Sequence, residues 1–278
     1  MKYRSVTLAL VCFALIPGCT APEEPTALPE RPEPQMIVNG EPTGAAYPNV
    51  GAFFYDLRGD GIQWYDQVCS GSLIEPTVFL TAAHCLAWIP TGSQLYVTFH
   101  PDLQSGGVPP LIAATSFVFD PAYGHDRADM HDLGLVMLPD GSTNGITPLQ
   151  LPPAGYLTEA AKKGGLRGEY FVNVGYGAQA EFKGAPPSHT WDGKRRVSKS
   201  AFMALQPNWL GLLMNEDATG EGGDCFGDSG APKFMDENPN MIVATVTWGD
   251  AICRATSWDY RLDTPSARNF LGQHITLP

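Results

Sequence analysis

The chain has 278 residues, of which 44% are hydrophobic and 17% charged, enough for a substantial core in one large or two small domains. Its 30 glycines and 25 prolines mark a turn-rich folded chain that leans towards many short strands. A net charge of −12 with no long basic run excludes a nucleic-acid partner held through its phosphates.

The first residues read as an export address. Lys2 and Arg4 precede the apolar run Val6 to Ile16, which is too short to span a bilayer, so residues 1–18 are expected to be a signal peptide. "IPGC", Ile16 to Cys19, resembles the bacterial lipobox, whose cysteine carries lipid, although Pro17 is not favoured there. Cys19 is therefore a candidate membrane anchor, with ordinary signal cleavage as the alternative. Residues 19–36, rich in Pro and Glu, lack the apolar content to fold and read as an extended tether or a propeptide. The mature chain is accordingly expected to be extracellular, periplasmic or anchored at the outer membrane.

Past Ile37, short apolar stretches alternate with turn residues. Gln94 to Phe99, Tyr170 to Val174 and Met241 to Trp248 are strand candidates, and their spacing suggests an all-β sandwich or barrel. Leu151 to Gly168 reads as a connector between two halves. Only residues 264–275 look clearly helical, with Thr264 as N-cap, Pro265 at the first helical position, and Ala267, Phe270, Leu271 and Ile275 on one face. Setting aside Cys12 and Cys19 leaves Cys69, Cys85, Cys225 and Cys253, an even set that implies disulfides in an exported chain and allows three pairings. No C-x2-C pair suggests a metal site, and no cofactor is expected.

Four segments carry candidate chemistry: "IVNG" (Ile37 to Gly40), "LTAAHC" (Leu80 to Cys85), "HDLGLVML" (His131 to Leu138) and the loop "GGDCFGDSGAP" (Gly222 to Pro232). A serine hydroxyl is a weak nucleophile at neutral pH and needs an adjacent base, usually an imidazole. The imidazole needs a carboxylate to fix its tautomer and stabilise its cation. His84, Asp132 and Ser229 supply the three, and the N–H groups of Gly227 and Ser229 are candidate donors for a developing oxyanion. Any one of these residues alone would more often be structural; all four segments in this order are far less expected by chance.

These segments resemble those of the trypsin/chymotrypsin-like serine endopeptidases, and with the export signal they suggest an exported bacterial member. "TAAHC" is similar to the family's histidine motif, "DLGLVML" to its aspartate motif and "GDSGAP" to its serine motif. "TWG" (Thr247 to Gly249) is similar to its substrate-binding strand, and "GYG" (Gly175 to Gly177) to its GWG. The resemblance runs from Ile37 almost to the C-terminus. It implies two six-stranded antiparallel β-barrels, about residues 37–155 and 165–262, followed by a C-terminal helix. It also implies His84 as general base, Asp132 as its orienter and Ser229 as nucleophile. Cys69 would pair with Cys85, and Cys225 with Cys253. A monomer acting on protein or peptide substrates is the family default.

Activation follows from the same resemblance. Cleavage before Ile37 would free an α-amino group that pairs with Asp228. The residue before the cut is Met36, where relatives carry Arg or Lys, so the activating protease is expected to prefer apolar residues. The substrate pocket is expected around Gly223, Asp224, Phe226, Thr247, Trp248 and Gly249. Asp224 or Asp259 would favour a basic side chain, whereas Trp258 would narrow the pocket towards small ones. The hydroxyl of Thr247 is expected to support Asp132.

Overall fold

Short β-strands account for most of the regular secondary structure among the described residues. The computed structural model describes residues 40–181 and 188–278, all within one compact unit, Pro34–Pro278. Alternation shows in Leu95–Thr98, where Leu95 and Val97 are buried and Tyr96 between them is half-exposed, whereas inner strands such as Val50–Tyr55 and Val78–Thr81 are buried almost throughout.

The first half is one seven-stranded antiparallel sheet in the order Ile112–Ala113, Leu95–Thr98, Val50–Tyr55, Gln67–Glu75, Val78–Thr81, Gly134–Met137, Ser116–Phe119. Among the described residues its two end strands are not paired with each other, so this half is a curled, open barrel. The second half closes. Arg196–Leu205, Trp209–Leu213, Thr256–Arg261, Asn238–Gly249, Pro232–Met235 and Tyr170–Gly175 pair in turn, and the last pairs back with the first. The all-β expectation holds; of the two expected barrels, only the second is closed.

Between the halves lies a shared core in which Val50, Leu80 and Leu135 meet Val174, Phe234, Ile242 and Tyr260. The C-terminal helix, Pro265–Leu271, seals it with Ala267, Phe270 and Leu271. Thr264 Oγ1 caps that helix by accepting the Ala267 N–H, and Pro265 starts it, as the sequence signals require. Its last turn tightens, so Ile275 packs from beyond the helix proper. The connector holds another helix, Tyr156–Lys162, which begins after Gly155 with no side-chain cap and so lacks the N-cap signal that marks the C-terminal one. Arg195, fully buried, ties the halves together: its guanidinium donates to the carbonyls of Val50, Phe99 and Ala46 at 2.8–3.0 Å.

Candidate active site

His84 sits on the one-turn helix Ala83–Leu86, immediately after the strand Val78–Thr81. Cys85 beside it is disulfide-bonded to Cys69, which fixes the helix to the strand Gln67–Glu75. Asp132 stands just ahead of the strand Gly134–Met137 and is fully buried. Its two oxygens serve one residue: Oδ1 accepts the His84 backbone N–H and Oδ2 lies 2.8 Å from Nδ1 of the ring. A carboxylate on Nδ1 leaves Nε2 as the ring's free basic nitrogen. The imidazole keeps 27% of its side-chain surface exposed.

The Ser229 loop is held on both sides. Ser70 N–H donates to the Ser229 carbonyl at 3.0 Å, and Gly230 N–H donates to the Val246 carbonyl at 2.8 Å. Gly230 has φ +78°, and a Cβ there would lie 2.3 Å from Thr81 Oγ1, so only glycine lets the loop approach the strand that leads to His84. Among the described residues, no hydrogen bond joins Ser229 to His84.

Peptide planarity sets the two expected oxyanion donors. The Phe226 carbonyl accepts from Ala178 N–H, and the Asp228 carbonyl from Ala231 N–H. In a trans peptide the N–H points opposite its carbonyl, so the Gly227 and Ser229 N–H groups point away from those partners. Neither N–H is taken up by another group among the described residues. The Gly227 carbonyl is anchored by Gln67 Nε2 and Ser70 Oγ, at 3.0 and 2.9 Å.

Asp228 is completely buried. Oδ1 accepts Gly177 N–H at 2.7 Å and Oδ2 accepts Cys225 N–H at 3.0 Å. Burial above all, and the Asp224 charge next, push its carboxyl up to about 7 against the pull of the two amides. Two amide donors alone leave this carboxylate under-compensated. Ile37, its expected partner, lies outside the described residues. Gly175 and Gly177 are glycines for a steric reason, since a Cβ on either would sit 2.1 Å from an Asp228 oxygen.

Next to Ser229 opens a pocket of about 220 Å³, lined by Asp224, Phe226, Thr247, Trp248 and Gly249 as expected, and also by Met214, Val246 and the Cys225–Cys253 disulfide. Gly223 is not part of the wall. It lies under Met214, where a Cβ would meet that side chain at 2.5 Å. Trp258 does not narrow the pocket either: strand alternation turns it outward, where it stacks on Trp248 with centroids 5.8 Å apart, while Ser257 lines the pocket and Asp259 is buried. Thr247 Oγ1 is buried without a partner among the described residues, so its hydroxyl does not support Asp132.

The Trypsin family model matches residues 52–268, most of the chain. The chain belongs to the trypsin family of serine proteases. Pig (Sus scrofa) coagulation factor XII is 29% identical over 68% of this chain, which spans only 32% of factor XII's length. Achelase-1 of Lonomia achelous is 25% identical over 80% of the chain and 98% of its own length. Among solved structures, HL collagenase superposes with a TM-score of 0.62 at 17% identity, over 86% of this chain and 98% of its own. Mouse neuropsin gives 0.60 at 18% identity, over 84% and 97%. Both disulfides form as the family resemblance implies, and such bonds persist in oxidising, extracellular surroundings.

Several residues of this trypsin-family site carried no sequence signal. Gln67, Ser70 and Trp191 are examples: Trp191 Nε1 donates to Gln67 Oε1 and the Tyr176 carbonyl, both at 3.0 Å, and its ring covers Gly227. They are ordinary residue types whose importance comes from where distant strands meet.

Proposed function

We propose that the chain is an exported serine endopeptidase, made with a signal peptide over residues 1–18 and a tether or propeptide over 19–36, its precursor either secreted or held by a lipid on Cys19. Residues 37–278 form the protease domain, which begins to act on protein and peptide substrates when cleavage after Met36 frees the Ile37 amine to pair with Asp228. Ser229 Oγ attacks the scissile carbonyl while His84 Nε2 accepts its proton. Asp132 holds Nδ1–H and stabilises the imidazolium. The N–H groups of Gly227 and Ser229 stabilise the oxyanion. Collapse passes the proton to the leaving amine and leaves an acyl-enzyme, which water hydrolyses by the same steps in reverse.

One observation carries this reading: among the described residues, the carboxylate of Asp132 bonds only His84, next to a serine loop with two uncommitted amide N–H groups. A fluorophosphonate probe is expected to label the processed chain on the peptide containing Ser229. Ser229→Ala should lose the label and lower kcat by more than about 10³-fold. A processed wild-type chain that takes no label would instead be a binding module on a protease fold.

A further inference from the structure

Behind the pocket wall lies a buried ionic group that the triad chemistry does not use. Lys233, on the strand Pro232–Met235 and four residues past Ser229, has 0% of its surface exposed. A buried ammonium requires partners, and three acceptors surround this one. Nζ contacts Asp224 Oδ2, donates to Asn173 Oδ1 at 2.6 Å, and lies 3.7 Å from Asp259 Oδ1. Asn173 is turned carbonyl-first towards the lysine because its amide nitrogen donates to Ser198 Oγ and Ser200 Oγ, at 3.0 and 2.8 Å.

The proton count in this group is constrained. Ser257 Oγ lies 2.7 Å from Asp224 Oδ2 and 2.9 Å from Asp259 Oδ1, yet a hydroxyl has one proton to donate. The second contact needs a proton from a carboxyl group. Asp259 is the candidate, since burial first, then the Asp224 charge, push it well above the usual carboxylate range against the pull of Lys233. One ammonium, one carboxylate and one neutral carboxylic acid sum to zero.

Asp224 and Ser257 form part of the pocket wall, whereas Lys233 and Asp259 stand behind it. Two acids line the pocket: Asp224 is answered from the rear by Lys233, and the Asp250 carboxylate is already taken up by the backbone N–H groups of Arg254, Ala255 and Thr256 at 2.8–2.9 Å. The remaining wall is largely apolar, and about 220 Å³ exceeds the roughly 150 Å³ that holds a benzene ring. An entering Lys or Arg would bring a second cation to the neutral Lys233 group and, among the described residues, would meet no carboxylate that lacks partners.

We infer that Lys233 determines specificity: its ion pair with Asp224 makes the Ser229 pocket select uncharged apolar side chains and reject Lys and Arg. This rests on the endopeptidase reading above. It also makes the chain's own junction a substrate, because Met36 presents such a side chain, and the activating protease of apolar preference is then a processed second copy.

Peptides spanning Pro32 to Gly40, with position 36 as Met, Leu, Phe, Arg or Lys, test this against the processed chain, with cut sites located by mass spectrometry. Cleavage is expected after Met, Leu and Phe, with kcat/KM for Arg and Lys lower by about 100-fold or more. Lys233→Met should raise kcat/KM for the Arg and Lys peptides by about tenfold or more relative to Met. Lys233→Met combined with Asp259→Asn should do the same and strands one carboxyl fewer, should the single variant fail to fold. Wild-type cleavage after Arg or Lys as fast as after Met overturns the inference and leaves the endopeptidase reading intact. A folded variant with an unchanged ratio removes the lysine's role. Cleavage of none of the five peptides overturns the endopeptidase reading, and this inference with it.

Discussion

At the scale of single residues, the site depends on side chains being absent as much as on their presence. Gly177 donates its N–H to Asp228 Oδ1, and a methyl there would collide with both carboxylate oxygens. Gly177→Ala is thus expected to destabilise the fold by about 1–3 kcal/mol through overpacking, read from the urea midpoint. It should also lower kcat, because displacing Asp228 disturbs the amides on either side of it. An unchanged midpoint would mean that the loop relaxes freely. The glycines of "GYG" were visible as a motif, but the carboxylate that excludes their side chains lies about 50 residues away in sequence and comes close only in the fold.

At the scale of elements, a one-turn helix cannot hold itself together, since helix nucleation is unfavourable over so few residues. The Cys69–Cys85 disulfide closes a 16-residue separation and fixes Ala83–Leu86 to the neighbouring strand. Replacing both cysteines by alanine is expected to cost about 3 kcal/mol, a fall of roughly 6–12 °C in Tm by calorimetry. A fall in kcat/KM should accompany it as His84 loses its fixed support. Removing the cap in Thr264→Ala should cost about 1 kcal/mol and leave the pocket untouched, because the helix packs into the core shared by the two halves and none of its residues lines the pocket. A Thr264→Ala protein as stable as wild type would show that docking of Phe270 and Leu271, not the cap, holds the helix.

At the scale of the whole molecule, pH reports on activation. Without the Ile37 amine, Asp228 has a folded pKa of about 7 against an ordinary 3.8. The folded state then binds its proton more tightly than the unfolded state does. That contribution is present at low pH and is lost as pH rises from about 4 towards 7. The proposed pairing in the processed chain would reverse the sign: Asp228 would be drawn down, and the amine raised above its free value of about 7.7–8.0. The amine's contribution is complete below that free value and lost as pH climbs through the raised one. Urea midpoints of precursor and processed chain should therefore diverge between pH 4 and 7 and converge again in alkali, where activity also falls. Superimposable curves at every pH would rule out the pairing.

Family, all-β class, C-terminal helix and the disulfide framework were legible in the sequence because each rests on a local motif, alternation, a cap or a count of cysteines. His84, Asp132 and Ser229 could be picked out for the same reason, each lying inside a short contiguous pattern. Closure of the second barrel and the openness of the first depended on which strand ends reach one another, which no local pattern encodes. The pocket wall was decided in the same way. Alternation along Thr256–Arg261 turned Trp258 outward and Asp259 inward, and the strand Pro232–Met235 carried Lys233 beneath Asp224. The sequence supplied an acid near the nucleophile; only the packing of separate strands placed a cation behind it, and charge in a dry interior is governed by what lies within a few ångströms, not by what is adjacent in the chain.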